Sequence, residues 1–274
     1  MAECLIRAGF ALTVCDKSEV ALDVFRKLGA RTTTEASDLA GMEMVVFMVA
    51  NDAQVKSAAL GAGGLLQAVD PAKPPLVAVM SSVLPGTAKE VAAALAAKNV
   101  RMVDAPVSGG GVRAGEGKLT IMVGGDKADI EAMSPVFDAL GNNVFHCGPV
   151  GAGEAVKILN NIMGVTSMFL MTETMQIAGK LGIDQAWLAS VMEVSSGRNS
   201  ATRDYEAHKG IYRVNGQTPQ SAKAVIDICR KDLSLAMAMA REVGVATPMV
   251  DAAATAQNAI DYDDFRARWV ELAA

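Results

Sequence analysis

Lys157 and Asn161 stand four residues apart in the stretch Gly148-Pro149-Val150-Gly151-Ala152-Gly153-Glu154-Ala155-Val156-Lys157-Ile158-Leu159-Asn160-Asn161. On a helix that spacing puts both side chains on one face. Val156, Ile158, Leu159, Ile162, Met163 and Val165 surround them in sequence. A lysine in such company is paired, lays its stem on the surface with the ammonium in water, or works on a substrate. The helix alone does not choose among the three. Upstream, Ser108-Gly109-Gly110-Gly111 follows Asp104-Ala105-Pro106. It offers a hydroxyl and unobstructed backbone N–H groups suited to a carboxylate or a phosphate, or it is an ordinary glycine-rich loop. Asp16 closes an apolar run. A carboxylate there can accept both hydroxyls of an adenosine ribose, or serve beside a helix N-cap, and the neighbouring Lys17 would tolerate a 2′-phosphate.

Other chemistries are poorly represented. Gly117-Lys118 is no P-loop, because Val112 replaces the first glycine and Leu119 the Ser or Thr. There is no G-x-S-x-G and no H-E-x-x-H, and His146 and His208 lie far apart, as structural or surface histidines do. Gly151-Ala152-Gly153 has Val156 at the third position of a dinucleotide fingerprint, and Gly61-Ala62-Gly63-Gly64 lacks a third glycine. The scattered Cys4, Cys15, Cys147 and Cys229 have no metal-ligand spacing and read as reduced thiols of a cytosolic protein. A net charge of −5 without a basic run argues against nucleic acid and anionic membranes. No uninterrupted apolar run reaches the ~18–20 residues of a membrane span. Glu3 and Arg7 argue against a signal peptide.

These residues must be carried by elements that the pattern predicts. Short apolar strands are expected at 11–15, 45–49, 76–80, 100–104, 118–123 and 143–146. Helices are expected at 1–8, 18–28 with Ser18 as N-cap, after Asn51-Asp52, after Pro85-Gly86, and at 127–140. The alternation implies an α/β, doubly wound, mainly parallel sheet over residues 1–150. From 151 to 274 only helical periodicity is found, including 151–180, 185–194, 221–243 and 249–259. Asp16-Lys17-Ser18, Asn51-Asp52, Ser81-Ser82 and Pro106–Gly111 would then lie at strand carboxyl ends, where such sheets bind ligands. The long apolar helices of the second half predict a homodimer or homotetramer.

Together these segments resemble the β-hydroxyacid dehydrogenase family, which includes 3-hydroxyisobutyrate, threonate and tartronate semialdehyde enzymes. The likeness rests on Asp104-Ala105-Pro106-Val107-Ser108-Gly109-Gly110 with Gly117-Lys118-Leu119-Thr120-Ile121-Met122-Val123-Gly124-Gly125, on Gly148 through Asn161, on Lys231-Asp232-Leu233, and on Ser81-Ser82 with Pro85. The resemblance implies a Rossmann-type domain, an all-α domain, and hydride transfer between a small hydroxyacid and NAD, with NADP possible and no metal. It implies Lys157 as catalytic lysine, Asn161 as substrate ligand, and Ser108, Gly109 and Gly110 as the carboxylate grip. Asp16, Val49, Ala50, Asn51, Ser82 and Lys231 would hold the cofactor. Ser195–Ser200 with Tyr205 would reach the far side of the substrate.

The resemblance also places the first Rossmann strand and its G-x-G-x-x-G turn upstream of Met1, so the first strand is expected to be missing. A catalytically inactive binding or scaffold protein on the same fold is therefore the rival expectation, and an imine reductase a weaker one. As a general base Lys157 would need its pKa lowered by ~2–3 units from ~10.4. As an ammonium it would instead stabilise a developing alkoxide.

Overall fold

In the computed structural model, which describes residues 1–274, the unit Met1–Lys157 opens with helix α1 (Ala2–Arg7), stopped at Gly9 with φ +87°. Then follow β1 (Thr13–Cys15), α2 (Glu19–Lys27), β2 (Arg31–Thr33), β3 (Met44–Phe47), α3 (Asp52–Leu60), α4 (Leu65–Ala68), β4 (Leu76–Val79) and α5 (Pro85–Ala96). The unit continues through β5 (Arg101–Asp104), β6 (Val107–Ser108), α6 (Gly110–Glu116), β7 (Leu119–Gly124), α7 (Lys127–Leu140) and β8 (Gly141–Gly148) into the start of α8 (Ala152–Lys180). Local chemistry sets the helix starts. Ser18 Oγ accepts the Ala21 N–H at 3.3 Å, Asn51 Oδ1 accepts the Gln54 N–H at 3.0 Å, and Pro85 occupies the first turn of α5.

Strands β3, β4 and β5 run parallel, with Val45, Val77 and Met102 in register. β7 is antiparallel to β5 and β6, and β8 is parallel to β7. β1 and β2 pair with each other in a separate parallel sheet. The mainly parallel, doubly wound arrangement expected from the sequence is thus present in two hydrogen-bonded pieces. Pleat alternation sends Val45 and Phe47 to one apolar cluster, with Val77, Val79 and Cys15. Met44 and Val46 pack in the opposite cluster, with Ala78, Ile121, Phe10 and Leu12. Both faces of the sheet are therefore covered, as parallel strands require.

Four of the labelled elements of this unit, β2, α4, β6 and α6, are not marked by the sequence pattern. β2 is short and partly exposed, so it carries no apolar run. β6 and α6 occupy the segment expected to be a glycine-rich loop. Gly110, Gly111 and Gly115 give α6 poor intrinsic propensity, and its place between β6 and β7 overrides that preference.

The unit Ile158–Ala274 contains the rest of α8, then α9 (Gln185–Glu193), α10 (Tyr205–Asn215), α11 (Pro219–Glu242), α12 (Pro248–Asn258) and α13 (Tyr262–Ala273). It is all-helical, as the sequence pattern predicts, although local periodicity marks neither α10 nor α13 individually. Thr218 and Ser221 form a capping box ahead of Pro219 at the start of α11. Trp269 is fully buried, stands edge-on to Phe265 at 5.3 Å and donates its indole N–H to Thr172 Oγ1 at 3.3 Å. By length and mean hydropathy alone α8 is long and apolar enough to cross a membrane, although polar residues interrupt its apolar run as the sequence indicates; 33% of its most apolar window is buried within the protein.

His208 lies buried in this unit, edge-on to Tyr212 at 4.6 Å. Its Nε2 has no hydrogen-bond partner, and burial lowers its pKa from 6.5 to about 4. Below pH 6.5 the unfolded histidine takes up a proton that the folded one refuses. Stability should therefore fall as pH drops from 6.5 to about 4, and then the effect saturates. In His208→Leu this part of the slope should vanish in urea unfolding at stepped pH; an unchanged slope would refute the assignment.

Candidate active site

The segments leaving β3 and β4 are fastened together by side chains. Ser81, 1% exposed, accepts the Val49 N–H on Oγ at 2.7 Å. Gln54 Oε1 accepts the Ala50 N–H at 2.8 Å, and Asp52 Oδ1 accepts the Leu84 N–H at 2.9 Å. Val49, Ala50, Asn51 and Ser82 thus sit on a backbone with little freedom. The Asn51 carbonyl oxygen is committed to capping α3, which leaves its amide N–H groups for a ligand.

At the end of β5, Asp104 is completely buried. Its Oδ1 accepts the Gly151 N–H at 2.6 Å and its Oδ2 the Glu154 N–H at 2.9 Å, both at the start of α8. Space for the carboxylate comes from two glycines. A Cβ on Gly124 would come within 2.5 Å of Oδ1, and one on Gly153 within 2.9 Å of Oδ2. Burial pushes the Asp104 pKa up, and the backbone amides, led by those of Gly151 and Glu154, pull it back. Glu154 is also fully buried and accepts the Val83 N–H at 3.1 Å. Lys157, one turn further along α8, is 8% exposed. That burial removes the surface-lysine alternative.

Ser108 ends β6, half-buried, and pairs with Thr120 of β7. Gly109 (φ +145°) and Gly110 (φ +68°) are exposed and turn the chain into α6. The backbone there is open, as a carboxylate grip needs. At the end of β1, Asp16 is exposed; its Oδ1 accepts the Ser18 N–H at 2.7 Å. The helix-start role and the ribose role are compatible, because a carboxylate has further lone pairs to offer. Lys17 pairs with Glu35 at 2.9 Å.

In the helical unit, Asn161 and Asp232 are 9% and 7% exposed, and Asn161 Nδ2 donates to Asp232 Oδ2 at 2.7 Å. Lys231 Nζ lies 3.2 Å from Asp232 Oδ1. Tyr205 is corrected: it is buried in the helical core and its hydroxyl donates to Gln185 at 3.2 Å, so it does not reach a substrate. His146 sits within 3.1 Å of the Gly125 and Gly148 carbonyls, a structural role.

Asp104, Glu154 and Asp232 are the residues that the sequence reading passed over. All three belong to motifs already noted, yet nothing local marks any of them as the partner of a distant group. Asp232→Ala would leave the Asn161 amide buried without its acceptor, at a cost of about 1–3 kcal/mol. Urea unfolding should show that loss; an unshifted midpoint would contradict it.

The residues present fit a nicotinamide dinucleotide: an exposed carboxylate suits ribose hydroxyls, and a braced polar turn after β3 and β4 suits the nicotinamide end. Comparison with known proteins agrees. Residues 1–148 match the family of the NAD binding domain of 6-phosphogluconate dehydrogenase. Residues 151–267 match the family described as NAD-binding of NADP-dependent 3-hydroxyisobutyrate dehydrogenase. The NAD-dependent L-serine dehydrogenase of Pseudomonas aeruginosa is 35% identical over 251 residues, which cover 91% of this chain and 84% of that one. The 3-hydroxyisobutyrate dehydrogenase of the same organism is 36% identical with the same coverage. The crystal structure of 3-hydroxyisobutyrate dehydrogenase from Salmonella typhimurium superposes with a TM-score of 0.78 at 30% identity, covering 94% of this chain and 88% of that one. The chain belongs to the β-hydroxyacid dehydrogenase family, as an NAD(P)-dependent oxidoreductase of the 3-hydroxyisobutyrate dehydrogenase type.

Proposed function

We propose that this dehydrogenase oxidises a small β-hydroxy carboxylate with Lys157 as the group that exchanges the hydroxyl proton. The observation that carries the reading is the burial of Lys157 on the turn of α8 fastened to β5. The substrate class is supported by relatives named for L-serine, 3-hydroxyisobutyrate and 2-(hydroxymethyl)glutarate. All three carry a hydroxymethyl group on the carbon beside a carboxylate. Ser108 and the N–H groups of Gly109 and Gly110 hold that carboxylate, and Asn161, oriented by Asp232, offers its remaining amide N–H. The bound nicotinamide supplies the hydride acceptor. Val49, Ala50, Asn51 and Ser82 are assigned to the cofactor within residues 1–150, the NAD(P) domain; Lys231 is assigned to it from residues 151–274, which otherwise serve substrate and subunit contacts. Asp16 favours NAD over NADP, and the engagement of Lys17 by Glu35 supports this. No observation favours the inactive scaffold. Lys157→Ala should lower turnover by about 10²–10⁴-fold or more, while fluorescence titration still shows cofactor binding. Near-wild-type turnover would overturn the assignment.

The protein is assigned to the cytoplasm, in keeping with four free thiols, and to a homodimer or homotetramer. Leu159, Met163, Leu170 and Ile177 follow one another along α8 and are 55%, 69%, 57% and 61% exposed. Such a stripe on a soluble enzyme supports contact with another copy. Light scattering should give twice or four times the 28.5 kDa chain mass; a monomer would refute the assignment.

A further inference from the structure

We propose that Asp104 is a positioning residue for catalysis, which sets Lys157 relative to the Ser108–Gly110 substrate loop. The inference rests on the proposed roles of those residues. Asp104 stands at a branch of the unit. Four residues after it in the chain comes Ser108, and the N–H groups that it binds, those of Gly151 and Glu154, begin the helix that carries Lys157. The two oxygens hold two different amides, so the start of α8 is fixed in rotation as well as in distance. The grip has no slack: β7 contributes Gly124 and α8 contributes Gly153 at the points where any side chain would strike the carboxylate. The second buried carboxylate on this turn, Glu154, binds the Val83 N–H immediately after Ser82. The cofactor segment and the strand that leads into the substrate loop are therefore both tied to one turn of the catalytic helix, and Asp104 makes the second of those ties.

Asp104→Asn keeps the shape and removes the function. An amide presents one acceptor oxygen, and its NH₂ would face a backbone N–H, donor against donor. One of the two bonds is lost and α8 must turn or shift. Small displacements at a reacting group lower turnover steeply. The variant should bind NAD(P) with affinity within about twofold of wild type, while kcat per cofactor-binding site falls by about tenfold or more and KM for the hydroxyacid rises. Counting sites by cofactor stoichiometry removes the effect of any unfolded fraction. Asp129→Asn serves as the control: Asp129 is also a buried carboxylate, carried by α7 and paired with Arg101 at the far end of β5, and its loss should lower stability but leave kcat per site unchanged. If Asp104→Asn does not accumulate as folded protein, Asp104→Ser, which retains one acceptor, takes its place. Wild-type kcat per site and KM in the folded variant would overturn the proposal. Measuring Lys157→Ala alongside separates the two failures: an active Lys157→Ala condemns the site assignment, whereas an inactive one beside a fully active Asp104→Asn condemns only the positioning role.

Discussion

A carboxylate buried without exposure is costly unless it is hydrogen-bonded, and Asp104 gains a bond on each oxygen by capping a helix from outside it. Most N-caps are supplied by the residue just before the helix. Here the cap arrives from the end of a strand 47 residues earlier in the chain. The helix dipole and the unsatisfied first-turn N–H groups make that position favourable for negative charge. Much of the surrounding architecture follows from the same requirement. β7 must end in a glycine beside Asp104, and α8 must place a glycine between the two amides that Asp104 binds.

The apolar layers supply driving force but little directional information. Dispersion and burial are nondirectional, so it is the backbone ladder and not the apolar contact itself that holds Val45, Val77 and Met102 in register. The polar bonds at the strand ends are directional as well. Ser81 to Val49, Asp52 to Leu84, Glu154 to Val83 and Asp104 to Gly151 each join a side chain to a backbone N–H in another segment. Registry at the ligand end of the sheet is therefore set by hydrogen bonds over a core that holds the layers together. The separation of β1–β2 from the larger sheet is consistent with that division, since shared apolar clusters contain residues from both pieces without strand pairing.

The helical unit uses a similar device at Asp232. Asp232 holds Asn161 through a single short bond and lies beside the half-buried Lys231 ammonium, so a buried amide and a buried anion share one corner with a partly exposed cation. Elsewhere its core is aromatic and apolar, with Trp269, Phe265 and Tyr212 at its centre. The neutral His208 belongs to that core, which explains why a residue able to titrate near neutrality is held uncharged instead.

Local sequence determined what local physics controls. Apolar runs located β3, β4, β5, β7 and β8, and Ser18, Asn51 and Pro85 located helix starts, because capping and strand burial act within a few residues. The four-residue spacing of Lys157 and Asn161 on one long helix was equally legible, as were the glycines around Ser108. Motif likeness then connected these pieces to a family. Tertiary structure decided the rest: that Lys157 is buried, that Tyr205 is core, that a glycine-rich stretch is β6 and α6, and that Asp104 and Asp232 hold partners 47 and 71 residues away. A carboxylate carries no local mark of the amide it will meet. Chain topology brings that amide to it, and only there does the cost of burying the charge select its place.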